Sequence, residues 1–314
     1  MALGTAGTAV LFPSILCQAV WGKRPIPAKK SVIAKDGGRS ITAGSSVTIE
    51  EIALEYEQAT GGHVGIYAQN IATGKSLAWR ANERFLMCSS FKVSLVASVL
   101  LRCDRGQDSL ERIISYKPED IGDLYAPFAK AHLDKAEMSV AELCQGAIEQ
   151  SDNFCANKLL ERSGGALALT AFWRQLGDNQ SRLDHIEPFL NETPYGGIEN
   201  TTTPIAMARN LQKMLLGSLL SPSSRDRLVG WMVRCQTGGQ RLRAGLPKSW
   251  VIADKTGTNG HDAASDIAIL WPQPDKPVII SVYVWGGTPT KDQLLGLFSK
   301  VAHYGAAELL QTES

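Results

Sequence analysis

The sequence predicts an α+β fold: a five-stranded antiparallel sheet flanked by N- and C-terminal helices, with an all-helical domain inserted in the middle. Two observations carry this. Strand-like runs lie only near the two ends of the chain, two before residue 80 and three after residue 250. Between them, from about residue 88 to 245, the apolar residues follow a helical period broken by Gly and Pro. Strands at both ends most simply join in one antiparallel sheet, and the strand–helix alternation of a doubly wound fold is missing.

Each element has a local reason. Thr48 followed three residues later by Glu51 is a capping box, and Ile49, Ile52, Ala53 and Tyr56 then share one helical face. Gly61 and Gly62 end that helix. Val64, Ile66 and Ala68 alternate as in a half-buried strand, Asn70 to Gly74 reads as a turn, and Leu77–Trp79 returns. The late strands are Val251–Thr256, Ala263–Trp271 and Val278–Trp285, and Lys291–Leu310 is a closing helix. The sheet domain is therefore expected over residues 48–85 and 246–314, and the helical domain over 86–245.

Composition narrows the function. Of 314 residues, 44% are hydrophobic and 20% charged, too apolar for a disordered chain and long enough for a core without disulfides. Lys plus Arg number 32 against 31 Asp plus Glu, which argues against a nucleic-acid partner. The six cysteines form no Cys-x-x-Cys and the five histidines no His-Glu-x-x-His, so no metal site is expected. Phosphate-binding and dinucleotide-binding glycine motifs are absent, as is a Gly-x-Ser-x-Gly elbow, and no cofactor is expected. Residues 1–21 are uncharged and mostly apolar, and read as an export signal without its positive lead; Leu16 before Cys17 speaks against lipid attachment. Residues 22–47 are rich in Pro, Gly, Ser and Lys and read as a linker.

Three short motifs carry chemistry. In Ser89-Ser-Phe-Lys92, residues i and i+3 share a helix face, which sets a hydroxyl beside an amine that can activate it. The backbone N–H groups of that helix start are suited to an oxyanion. Ser151-Asp152-Asn153 alone is a turn or a helix cap. Lys255-Thr256-Gly257 lies near a strand end, where Gly admits a close-lying substrate and Lys255 suits an anion.

Together and in this order the three motifs resemble the class A serine β-lactamases, over about residues 48–312. Arg182-Leu-Asp-His-Ile-Glu187-Pro-Phe-Leu-Asn191 is similar to the omega loop of that family, here residues 182–200. The resemblance implies hydrolysis of the β-lactam amide through a serine acyl-enzyme. Ser89 would be the nucleophile, Lys92 or Glu187 the base that takes its proton, and Ser151 the donor to the leaving nitrogen. Glu187, with Asn191, would activate the deacylating water. Asn153, Lys255, Thr256 and Thr258 would bind substrate, with Arg241 supporting the carboxylate and Tyr125 at the entrance. The backbone N–H groups of Ser89 and Thr258 would form the oxyanion hole. It further implies a monomer, periplasmic or secreted, with no stable membrane association once the signal is removed, that takes a small-molecule β-lactam.

The sequence also departs from the family. The arginine–aspartate pair that ties the family's omega loop is replaced by His185 and Asn200. A neutral hydrogen bond between them is weaker than a charge-assisted one, so a looser loop is expected, with its order dependent on pH near about 6 to 7. Cys144 and Cys88 match halves of two family disulfides whose partner positions here hold Val96 and Asn259, so neither bridge can form. The rival readings are a D-alanyl-D-alanine peptidase, which lacks the Glu187/Asn191 loop, and a β-lactam sensor that stays acylated.

Overall fold

A computed structural model describes residues 47–311; the expected export signal, and all but the last residue of the linker, lie outside the described residues. Helix α1 (Ile49–Thr60) begins at Thr48, whose hydroxyl accepts from the Glu51 N–H while the Glu51 carboxylate accepts from the Thr48 N–H. Gly61 ends it at φ +71°, in the left-handed region. Strands β1 (His63–Asn70) and β2 (Ser76–Trp79) follow, then a two-residue β3 (Phe85–Leu86). Helix α2 (Phe91–Asp104) leads through β4 (Ile113–Ser115), α3 (Pro118–Ile121), α4 (Pro127–Lys130) and β5 (Glu137–Ser139) to α5 (Val140–Glu149). Helices α6 (Asn153–Ser163) and α7 (Gly165–Gln175) precede β6 (Thr201–Thr202), α8 (Pro204–Leu215) and α9 (Pro222–Val233). The chain closes with β7 (Val251–Thr258), β8 (Ala263–Trp271), β9 (Val278–Trp285) and α10 (Lys291–Leu310).

The five long strands form one antiparallel sheet in the order β2-β1-β9-β8-β7, the predicted union of the two chain ends. Strand β9 explains its own apolar run, broken only by Ser281. Its residues Val278, Ile280, Val282 and Val284 enter the core under α1 and α10, while Ile279, Tyr283 and Trp285 enter the core shared with the helical middle. Both faces are covered, so both sets of alternate side chains are mostly apolar. Burying each such side chain contributes about 1.5–3 kcal/mol. In the helical part α2 is apolar nearly all round, as a central helix must be; it touches α5, α6, α7, α8 and α9.

Two differences from the sequence reading matter for the site. Strand β7 runs to Thr258 rather than Thr256, because Gly257 and Thr258 continue the ladder to Ser265 and Ala264. Strands β3 and β6, which the sequence reading does not contain, pair Phe85 with Thr202 and Leu86 with Thr201. This short ladder, with the Met87 N–H donating to Asn200 O at 3.0 Å, ties the approach to Ser89 to the end of the 182–200 loop. Strands of two residues leave no period to read. Among the described residues no helix is long and apolar enough to cross a membrane.

Candidate active site

Ser89 lies in a 3-10 turn, Cys88–Ser90, just before α2, so the Ser-x-x-Lys spacing spans the junction of turn and helix. Cys88 is held at φ +45°, a conformation that is uncommon for a residue with a Cβ. Strand β7 comes very close here. A Cβ added to Gly257 would lie 2.8 Å from both Ser89 N and Met87 O, so only glycine fits. Thr258 follows it, at the exposed end of β7.

Lys92 is fully buried. Its ammonium donates to Ser151 O at 2.8 Å and Asn153 Oδ1 at 2.6 Å, and lies 3.2 Å from Glu187 Oε1. Three acceptors match the three donors of an ammonium. The Ser89 hydroxyl donates to the same Glu187 Oε1 at 3.2 Å. Glu187 Oε2 accepts from Asn191 Nδ2 at 2.7 Å, while Asn191 Oδ1 is buried with no hydrogen-bond partner among the described residues. The Glu187-Pro188 bond is cis.

The Ser151-Asp152-Asn153 segment is a helix cap and more. Asp152 accepts from Cys155 N–H at the start of α6 and, through its other oxygen, from Phe128 and Ala129 N–H on α4. This pins the turn in which Ser151 adopts φ +58°. Ser151 Oγ then accepts from Lys255 Nζ at 2.9 Å. Lys255 is fully buried on β7, and burial pushes its amine down to about 8. Thr256 Oγ1 is 2.6 Å from the Thr237 hydroxyl. Arg241 is not in a surface ion pair. Its guanidinium lies against the sheet, donating to Gly257 O at 2.8 Å and Ser265 O at 2.6 Å, and sits over the Phe298 ring. Tyr125 is exposed at the mouth, and its carbonyl accepts from Asn153 N–H. A cavity of about 320 Å³ is lined by Ser89, Tyr125, Ser151, Asn153, Glu187, Asn191, Arg241, Thr256 and Thr258, with Thr237 and Gly257. The structure thus brings the residues singled out in the sequence around one cleft, with Lys92 and Lys255 buried at its wall.

The 182–200 loop is tied by His185 and Asn200 at the expected positions. Asn200 Nδ2 lies 3.1 Å from His185 Nδ1 and also donates to Thr193 Oγ1; Asn200 Oδ1 accepts from Asp184 and His185 N–H. A charged pair lies beside them, Arg182–Asp184, with Arg182 Nε 2.9 Å from Asp184 Oδ2, which also accepts from Asn200 N–H. Burial pushes the Asp184 carboxyl up, but its hydrogen bonds to Arg182 and Asn200 outweigh this and leave it below its ordinary value.

Two residues of the site were not visible in the sequence. Asn157, one turn after Asn153 on α6, accepts from Glu187 N–H at 3.0 Å and donates to Glu187 O at 2.8 Å, so it grips the backbone of the loop carboxylate. The i, i+4 asparagine spacing was its only signal. Thr237 had none. Cys88, Cys103, Cys144, Cys155 and Cys235 are free, and burial pushes the Cys88 thiol up, which makes it an inert apolar filler.

Known proteins share this fold. The model of the β-lactamase enzyme family matches residues 46–304. An ancestral class A β-lactamase is 45% identical over 83% of this chain and 100% of its own, with a TM-score of 0.79. A doubly substituted class A β-lactamase of the last common ancestor of Gram-negative bacteria, bound to the transition-state analogue 5(6)-nitrobenzotriazole, is 44% identical over 83% of this chain and 98% of its own, with a TM-score of 0.80. A β-lactamase from Xanthomonas campestris pv. campestris is 39% identical over 84% of this chain and 97% of its own, with a TM-score of 0.79. With its fold, its cleft and these relatives in agreement, the chain belongs to the class A β-lactamases, the serine hydrolases of the β-lactamase enzyme family.

Proposed function

We propose that this protein hydrolyses penicillins and cephalosporins in two steps through an ester on Ser89, and so confers resistance to them. The observation that carries the reading is Glu187 Oε1, which lies 3.2 Å from both the Ser89 hydroxyl and the Lys92 ammonium. All three Lys92 donors have acceptors, so Glu187 is the group that receives the Ser89 proton. Ser89 Oγ bonds to the lactam carbonyl carbon, and the backbone N–H groups of Ser89 and Thr258 receive the oxyanion. As the ring C–N bond breaks, Ser151 gives its proton to the nitrogen. Ser151 Oγ takes back a proton from Lys255 Nζ, its partner at 2.9 Å; Glu187 releases its proton to water in the cleft and Lys255 regains one from it. Glu187 is then ionised for the second step. With Asn191 it orients a water, takes its proton and passes one to Ser89 Oγ as the ester breaks.

Lys255, Thr256, Thr258 and Arg241 form the end of the cleft suited to the substrate carboxylate, and Asn153 and Tyr125 the end suited to its side chain. The uncharged residues 1–21 support export, with the enzyme acting as a periplasmic or secreted monomer that needs no cofactor. The test is turnover of a chromogenic cephalosporin by the purified protein. The expected result is sustained hydrolysis that falls at least about a thousandfold in Ser89→Ala. A single stoichiometric burst by the parent protein would overturn the reading in favour of a peptidase or a sensor.

A further inference from the structure

Two carboxylates behind β7 take no part in the mechanism above. Asp254 on β7 and Asp266 on β8 are both fully buried. The register sets Asp254 opposite Ala268 and Asp266 opposite Thr256, so the two acids are diagonal neighbours on one face of the sheet, within side-chain reach. Their partners are few. Asp254 Oδ1 accepts from Arg243 Nε at 2.6 Å, and its Oδ2 lies so near Gly238 that an added Cβ there would be 1.7 Å away. Asp266 Oδ2 accepts from Leu242 N–H at 3.1 Å. The remaining oxygens, Asp254 Oδ2 and Asp266 Oδ1, are buried with no hydrogen-bond partner among the described residues. A dry interior does not leave two ionised carboxylates on one sheet face, each with an unsatisfied oxygen. One proton between them satisfies both.

The surroundings decide which acid carries it. The charged and titratable groups around the pair are Arg241, Arg243, Lys255 and the Cys235 thiol. Arg243 is bonded to Asp254 and holds the negative charge there. Asp266 has a single backbone donor and no cation bonded to it. Burial pushes both carboxyls up, and the neighbouring Asp254 charge adds to the effect at Asp266.

We propose that Asp254 and Asp266 share one proton, carried on Asp266 Oδ1 and donated to Asp254 Oδ2, and that neutral Asp266 is a positioning residue for Arg241 and Lys255. The proposal rests on the reading of the β7 end as the substrate-carboxylate site. Arg243 and Asp254 then neutralise each other, and no internal anion competes with the substrate for the two remaining cations. The Leu242 N–H bond to Asp266 also fixes the turn from which Arg241 reaches Gly257 and Ser265.

The test begins with the resting enzyme, by infrared spectroscopy at neutral pH in water and in deuterium oxide. The expected result is a carboxylic-acid carbonyl band that shifts in deuterium oxide and is lost in Asp266→Asn. That readout needs no turnover, so its failure is distinguishable from failure of the proposed activity. Kinetics sharpen it. In Asp266→Asn the amide N–H replaces the acid O–H, and KM for a carboxylate-bearing substrate stays within about twofold of the parent; Asp266→Ala raises KM about tenfold with kcat little changed. If Asp266→Ala fails to fold, the asparagine variant and the infrared band still decide. An infrared spectrum in which Asp266→Asn removes no acid band overturns the proposal, as does a KM in Asp266→Asn raised about tenfold.

Discussion

Two walls enclose Ser89, and they are built on opposite plans. The β7 wall is sheet. Its backbone is in register with β8 from Val251↔Trp271 to Thr258↔Ala264, and Lys255 and Arg241 are fixed by burial and by main-chain carbonyls. The 182–200 wall contains one short 3-10 turn, Phe189–Asn191, and no ladder of its own until β6. Three side-chain amides carry it: Asn157 on the Glu187 backbone, Asn191 on the Glu187 carboxylate and Asn200 at the loop's base. A ladder is redundant, and losing one side chain leaves the rest in place. The clamp on the Glu187 backbone is not, because Asn157 makes both of its bonds. The nucleophile's partner therefore sits on the more vulnerable wall, and damage there is expected in kcat, whereas damage to the β7 wall is expected in KM.

The largest test of that contrast is Asn157→Ala. It frees both backbone bonds to Glu187, and a displacement on the order of 1 Å costs about a hundredfold in rate. Steady-state kinetics are expected to show kcat down about a hundredfold with KM changed less than threefold. An equal loss in KM would erase the distinction between the walls.

The β7 wall predicts a pH dependence. Burial lowers the Lys255 amine to about 8, so its charge is present below that pH and is lost above it. For a substrate bearing a carboxylate, kcat/KM is expected to fall above about pH 8, by about tenfold per pH unit at most. The methyl ester of the same substrate is expected to lack that limb. The smallest effect is a control remote from both walls. Thr48→Ala removes the α1 cap and is expected to lower stability by about 0.5–2 kcal/mol in urea denaturation, with kcat and KM unchanged.

The same contrast explains what was legible in the sequence. Strands β8 and β9 and helix α10 stand out because their apolar periods are long and their ends are marked by turn residues or by the Thr290 cap. Ser89, Lys92, Ser151, Asn153, Lys255 and Thr256 stand out because each sits in a short fixed motif. Of the supports of the loop wall, Asn191 and Asn200 were legible only through the resemblance, and Asn157 was not legible. It acts on a residue 30 positions away, and an asparagine on a helix does not announce that. Strands β3 and β6 are too short for a period, and the Asp254–Asp266 pairing depends on a register that appears only once β7 and β8 are aligned. The His185 and Asn200 positions were visible, but the Arg182–Asp184 pair beside them was not, because both residues read equally well as solvated charges.

The central claim is that Ser89 carries the acyl group and that Glu187, on the loop wall, serves both steps: it takes the Ser89 proton in acylation and activates the water in deacylation. The most direct measurement is intact-mass spectrometry of Glu187→Gln mixed with benzylpenicillin, followed by peptide mapping. The account predicts slowed acylation and far slower deacylation, so that a covalent adduct of one substrate mass accumulates on Ser89 and persists. Turnover at the parent rate, or an adduct on any other residue, would contradict it.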